Sequence, residues 1–88
     1  MRTTFRQSFV RDLKKIKDRA VLEHIKQAIE QVEEAQALGN VQDLAKLSGG
    51  NNYYRIRVGD YRLGIVVEAE TVEFVRCLHR REIYRHFP

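Results

Sequence analysis

The sequence predicts an α+β fold: an N-terminal strand and a helical hairpin packed on one face of a small, mainly antiparallel sheet. Three observations carry this. First, 88 residues, 43% apolar and 32% charged, suit one small globular domain spanning 1–88. Second, apolar residues recur at helical spacing from Phe9 to Ala35. Third, from Tyr53 onward three strand-like runs are divided by two tight turns.

Met1–Phe5 reads as a short strand, because Thr3, Thr4 and Phe5 favour extended backbone. Ser8 is placed to N-cap a helix over Phe9–Lys17, with Phe9, Leu13 and Ile16 inward and Lys14, Lys15 and Lys17 outward. Asp18 is placed to cap a second helix, Arg19–Leu38. Its apolar stripe is Leu22, Ile25, Ile29 and Val32, widened by Val21, Ala28 and Ala35, and Gly39 is expected at its end. His24 falls on the polar side of this helix. Asn40–Asn52 is the connector. Val41–Leu47 is expected to add a helical turn, and Ser48–Asn52 is turn material.

Tyr53–Val58 and Tyr61–Val67 flank Gly59-Asp60, a two-residue hairpin turn with Gly where a type II′ turn needs positive φ. This fixes the register: Val58 faces Tyr61, Arg57 faces Arg62, Ile56 faces Leu63, and Arg55 faces Gly64. Tyr54, Ile56, Val58, Tyr61, Leu63 and Ile65 then form the core face. Tyr53, Arg55, Arg57, Arg62 and Gly64 form the other. Glu68–Thr71 is the second tight turn, and Val72–His79 pairs back antiparallel. A simple register puts Val72 and Phe74 in the core but also Arg76, so either a bulge follows Phe74 or the strand is partly exposed on both faces. Arg81–Phe87 is a short terminal helix or tail, with Ile83 and Phe87 on one side. No helix remains to cover the arginine-bearing sheet face, so it is expected to be open.

The net charge of +4 favours an anionic partner. The basic residues differ by region: five of the nine before Gly49 are lysines, whereas all seven after it are arginines. Arginine suits bidentate recognition of phosphate or carboxylate. Arg57 and Arg62 sit directly opposite each other, a destabilising pair unless solvent, salt or a bound anion offsets it. The lone Cys77 lies in an apolar run, and neither it nor His24, His79 and His86 shows metal spacing, so no metal or cofactor is expected. A free thiol, arginines at 2, 6 and 11 that interrupt any apolar leader, and no membrane-length apolar run make the cytoplasm the expected location.

The ordered set Tyr54-Arg55-Ile56-Arg57, Gly59-Asp60-Tyr61-Arg62-Leu63 and His79-Arg80-Arg81-Glu82-Ile83-Tyr84-Arg85 resembles the RelE/ParE toxin superfamily of toxin–antitoxin modules. The opening, Phe5-Arg6-Gln7-Ser8-Phe9 followed by Asp12-Leu13-Lys14-Lys15, is similar too, so the resemblance spans nearly the whole chain. It implies one of two activities, or neither in a non-toxic relative that only binds an antitoxin and operator DNA. RelE-type members are ribosome-dependent endoribonucleases that cut mRNA, whereas ParE-type members inhibit DNA gyrase. It also implies a cognate antitoxin as partner, with the ribosome and mRNA as targets and operator DNA reached through the antitoxin complex. By the same resemblance Arg55 and Arg57 match phosphate-binding positions. Arg62 matches the arginine after the hairpin turn, Arg80 (or less well Arg81) a basic residue near the end of the last strand, and Tyr84 the tail tyrosine. Leu78 stands where many members have Gly before the final basic cluster, and arginines replace lysines of the best-known members.

Cleavage by an adjacent 2′-hydroxyl needs a base, cations on the phosphate and an acid for the leaving oxygen. Tyrosine is a poor base at its reference pKa of about 10, although neighbouring arginines favour its phenolate. Histidine as a residue type has a reference pKa nearer neutrality, which makes His79 the rival base.

Overall fold

The computed structural model describes residues 1–88. In chain order the elements are β1 (Arg2–Phe5), α1 (Gln7–Lys14), α2 (Arg19–Glu34), a 3₁₀ turn (Leu38–Asn40), β2 (Leu44–Lys46), β3 (Tyr53–Val58), β4 (Tyr61–Glu68), β5 (Thr71–His79) and α3 (Ile83–His86). The five strands form one sheet in the order β1-β5-β4-β3-β2. Only β1 and β5 run parallel; the other pairs are antiparallel.

The expected hairpin register is the observed one, from Val58↔Tyr61 through Tyr54↔Ile65. Gly59 has φ 57°, as its turn position requires. The main core lies between the sheet and the helices. Phe9, Ile25 and Val32 pack there with Ile56, Leu63, Ile65, Val72, Phe74 and Cys77.

The helix ends differ from the sequence expectation in instructive ways. Asp18 does cap α2, accepting from the amides of Ala20 and Val21. Ser8 caps nothing: α1 begins at Gln7, and the Ser8 hydroxyl donates instead to the Val75 carbonyl of β5. Helix α2 stops at Glu34, well before Gly39. Its last carbonyls are met by the Met1 ammonium, which donates to the oxygens of Glu33 (2.9 Å) and Ala35 (2.8 Å). A cation at a helix C-terminus is favourable for orphan carbonyls and for the helix dipole, and this stop signal lies at the far end of the sequence. Residues Leu44–Lys46 form an edge strand against β3, not a helical turn, because the β3 edge offers them a backbone ladder.

The last strand resolves as a bulge. The register shifts opposite Gly64 and Ile65, so that Arg76 pairs with Gly64 and Phe74 with Ile65, leaving Val75 extra. Arg76 thereby leaves the core and meets Asp12 of α1, with Nε 2.8 Å from Oδ2. Asp12 is 5% exposed and also accepts from the Cys77 amide at 2.9 Å. Together Ser8 and Asp12 satisfy the β5 edge where β1 has already turned into α1.

The far sheet face is not wholly open, contrary to the sequence expectation. The tail folds back over part of it and builds a second small core from Val75, Ile83 and Phe87, flanked by Leu47, Tyr53, Val66 and Leu78. Ile83 and Phe87 were spaced to share one helical side, and both are buried.

Candidate functional site

The arginine-bearing face is assembled by register and by the tail. Arg57 and Arg62 are direct cross-strand partners, and Arg55 pairs with Gly64. Alternation along β3 and β4 puts all three on the face away from the helices. Each makes different local contacts. Arg57 reaches the Asp43 carboxylate at 3.2 Å, with both side chains at least half exposed. Arg55 donates through Nη1 to the Asp43 carbonyl at 3.0 Å, while its Nε is shielded and unpaired. Arg62 folds back on the hairpin, where Nη1 donates to the carbonyls of Gly59 (2.8 Å) and Tyr61 (2.9 Å). No carboxylate pairs with it.

Arg62 shows what this crowding does. Its pKa is lowered from the ordinary value, first by burial and then by the positive charge of Arg55, with Arg57 and Arg80 adding to the effect. Tyr84 acts in the opposite sense. Arg55, Arg57, Arg80 and Tyr84 therefore all lie close enough to Arg62 to act on its charge. An anion held among them would relieve the repulsion.

Tyr84 stands in the tail between Ile83 and Phe87, both of which are buried against the sheet. Tyr84 itself is 60% exposed, an unusual amount for a large aromatic side chain. Arg80 opens the tail. Its amide donates to the Asp60 carbonyl at 2.8 Å, and its guanidinium stands 4.0 Å from the Asp60 carboxylate.

Two sequence candidates lie elsewhere. His79 pairs with Tyr61, so alternation puts it on the helix side of the sheet, opposite to Arg62. Its ring stands edge-on to Tyr61 at 5.8 Å, and Nδ1 accepts from the Arg81 amide at 3.2 Å. The Arg81 side chain is exposed and has no salt-bridge partner.

Asp43 escaped the sequence reading. It adopts φ 59°, a left-handed conformation that Asp tolerates better than most residues, and both its carbonyl and its carboxylate serve the arginines. Only the composition Gln42-Asp43 just ahead of a short apolar run hinted at a turn there.

Comparison with known proteins gives a consistent picture. A family model described as "ParE toxin of type II toxin-antitoxin system, parDE" matches residues 4–84. Toxin RelE3 of Methanocaldococcus jannaschii is 43% identical over 89 residues, covering all of both chains. Among solved structures, the toxin of the RelB-RelE antitoxin-toxin complex from Methanococcus jannaschii superposes with a TM-score of 0.79. It is 42% identical, and the match covers 97% of this chain and 99% of that one. The archaeal RelE-RelB complex from Pyrococcus horikoshii gives 0.73 at 21% identity, covering 93% and 97%, and so attests the fold alone.

Proposed function

The chain belongs to the ParE toxin family of type II toxin–antitoxin systems, within the RelE/ParE superfamily, and from this premise we propose that it is a ribosome-dependent endoribonuclease that cleaves mRNA. The observation that carries the reading is the tail, which folds back on the arginine-bearing face, buries Ile83 and Phe87 there and leaves Tyr84 exposed, among the groups that act on the charge of Arg62. The similarity to a protein named Toxin RelE3 supports it.

In the proposed reaction Arg55 and Arg57 hold the RNA backbone. Arg62 and Arg80 lie on the scissile phosphate. Tyr84, as its phenolate, takes the proton from the neighbouring 2′-hydroxyl, whose oxygen bonds to phosphorus while the bond to the 5′-oxygen breaks. The products are a 2′,3′-cyclic phosphate and a 5′-hydroxyl, the leaving 5′-oxygen taking its proton from a water molecule. Negative charge grows on the phosphate oxygens as attack proceeds, so guanidinium groups fixed there stabilise the transition state more than the ground state. His79, on the other side of the sheet, is the weaker candidate for base. Arg81 is left with a phosphate-binding role at the rim.

A cognate antitoxin is the proposed partner in regulation, as the similar toxins of Methanococcus jannaschii and Pyrococcus horikoshii were solved with RelB. Apolar surface for such a partner exists away from the arginines. Phe5 is 45% exposed and Val10 40%, and a groove between α1 and α2 is lined by Leu13, Leu22 and Ile29.

A second reading, inhibition of DNA gyrase without chemistry, is favoured by the description of the matching family model as a ParE toxin. Purified protein added to mRNA-programmed ribosomes separates the two. Cut mRNA with unimpaired gyrase supercoiling supports the ribonuclease. Intact mRNA with blocked supercoiling reverses the choice.

A further inference from the structure

Gly64 is a glycine in the middle of the central strand of the second hairpin arm, where glycine weakens a sheet and usually marks the close approach of another group. The approaching group is the ring of Phe87. A Cβ on Gly64 would lie 2.6 Å from Cδ2, 2.7 Å from Cγ and 2.9 Å from Cε2 of that ring. The ring is thus seated on bare backbone, and three of its atoms face the space a side chain would take. It is held from the side as well. Tyr53 meets Phe87 edge-on, with centroids 5.7 Å apart. Gly50 in turn lies so close beneath Tyr53 that a Cβ there would stand 2.7 Å from the Tyr53 ring. The turn-rich segment before β3 is therefore fitted to the end of the chain.

This seat stands next to the arginine cluster. Gly64 is the cross-strand partner of Arg55 and follows Arg62 by two residues on the same face, about 7 Å along the strand. Phe87 and Ile83 share the buried side of the tail, and Tyr84 lies on the turn between them. Fixing Phe87 over Gly64 fixes the helical turn that carries Tyr84. We infer that Phe87, seated on Gly64, is the positioning residue that holds Tyr84 in the arginine cluster; its consequence for catalysis rests on the ribonuclease reading above.

The test uses the whole chain and two readouts. Biosynthetic 3-fluorotyrosine reports on Tyr84 in the free protein, its resonance assigned by loss in Tyr84→Phe. Gly64→Ala puts a methyl group where the ring sits, and Phe87→Leu shrinks the ring without touching the sheet, so one variant remains informative if the other folds poorly. Both are expected to move the Tyr84 resonance toward the solvent-exposed position while the Tyr61 resonance stays put. Both are expected to slow single-turnover cleavage on ribosomes by about a hundredfold, the scale of an ångström-level misplacement. In a Tyr84→Phe background the same changes are expected to cost no further rate, because the tail acts through Tyr84 alone. The pair Gly64→Ala/Phe87→Leu is expected to regain rate over Gly64→Ala, since the smaller side chain admits the methyl group. An unmoved Tyr84 resonance in both single variants overturns the inference, and so does full additivity with Tyr84→Phe. A shifted resonance in a protein that cuts no mRNA upholds the positioning and overturns the ribonuclease reading instead.

Discussion

Replacing Asp12 with alanine is expected to destabilise the fold more than any change on the arginine face. The Asp12 carboxylate is nearly buried and accepts from Arg76 Nε at 2.8 Å, from Arg76 Nη2 at 3.2 Å and from the Cys77 amide at 2.9 Å. Truncation strands both donors at the β5 edge. Removing one partner of a buried ion pair costs about 3–5 kcal/mol. The Arg76 side chain keeps 25% of its surface in water, which sets the expectation at the low end, about 3 kcal/mol. For a domain of this size each kcal/mol moves the melting temperature by about 4–8 °C, so Asp12→Ala is expected to melt about 12–24 °C below wild type. Asp12→Asn keeps an oxygen for the Cys77 amide and is expected to lose roughly half as much, about 1.5 kcal/mol. Thermal unfolding followed by circular dichroism measures both. In Asp12→Ala/Arg76→Met the stranded cation is gone, and part of the loss should return. An Asp12→Ala protein melting within about 4 °C of wild type, the scale of a single weak contact, would refute the assignment of Asp12 as the anchor of the β5 edge.

Other predictions bear on the site and on the core. Tyr84→Phe keeps the ring but removes the proton acceptor, and is expected to slow single-turnover cleavage by about two orders of magnitude or more while ribosome binding holds; retained cleavage there with loss in His79→Ala would transfer the base role to His79. Arg55→Ala and Arg57→Ala should each reduce the slope of log affinity against log salt by about 0.7 if each removes one contact to single-stranded RNA. Unchanged salt slopes would make them surface charges without a ligand. In the core, burial and then the nearby Asp12 push the Cys77 thiol from the ordinary 9.0 up to about 12. The fold therefore keeps the proton while the unfolded chain releases it. Stability from this source is intact below pH 9.0 and falls between 9.0 and about 12, by up to about 1.4 kcal/mol per pH unit. Urea titrations across that range should show a steeper loss for wild type than for Cys77→Ala.

Local chemistry was legible in the sequence, and long-range chemistry was not. The hairpin register could be read because Gly59-Asp60 supplies the positive φ between two alternating runs, so one turn fixes every pair above it. The Asp18 cap could be read because its acceptor and donors lie within three residues of each other. The stop of α2 could not, since its carbonyls are met by Met1, more than thirty residues away in sequence. Ser8 was misassigned for the same reason: its hydroxyl prefers a carbonyl of β5 to a helix amide. An isolated Val41–Leu47 has no reason to be extended until the β3 edge is beside it. At the site, Arg55, Arg57 and Arg62 followed from register alone. Asp43 needed the fold, because nothing local links it to residues 55 and 57. Gly64 was the overlooked clue. A glycine inside a strand signals a close neighbour, and Phe87, at the end of the chain, is that neighbour.

The distribution of counter-charge says where on this face an anion matters most. Arg57 has the Asp43 carboxylate, but that pair is exposed on both sides and readily exchanged for another acceptor. Arg80 has Asp60 at 4.0 Å, also exposed and weaker still. Arg62 is the most crowded, with Arg55, Arg57 and Arg80 acting on it, and it has only two carbonyl dipoles of its own turn to answer them. Arg55 likewise has no carboxylate, only the Asp43 carbonyl, and its Nε is unpaired, so the demand for negative charge is centred on Arg62 and Arg55. In the proposed reaction the scissile phosphate meets that demand, and meets it more fully as charge accumulates on its oxygens during attack. The cost of gathering three arginines on one small sheet and a fourth at the start of the tail is then recovered in the transition state and not merely in binding, which is the condition for an electrostatic site to accelerate chemistry.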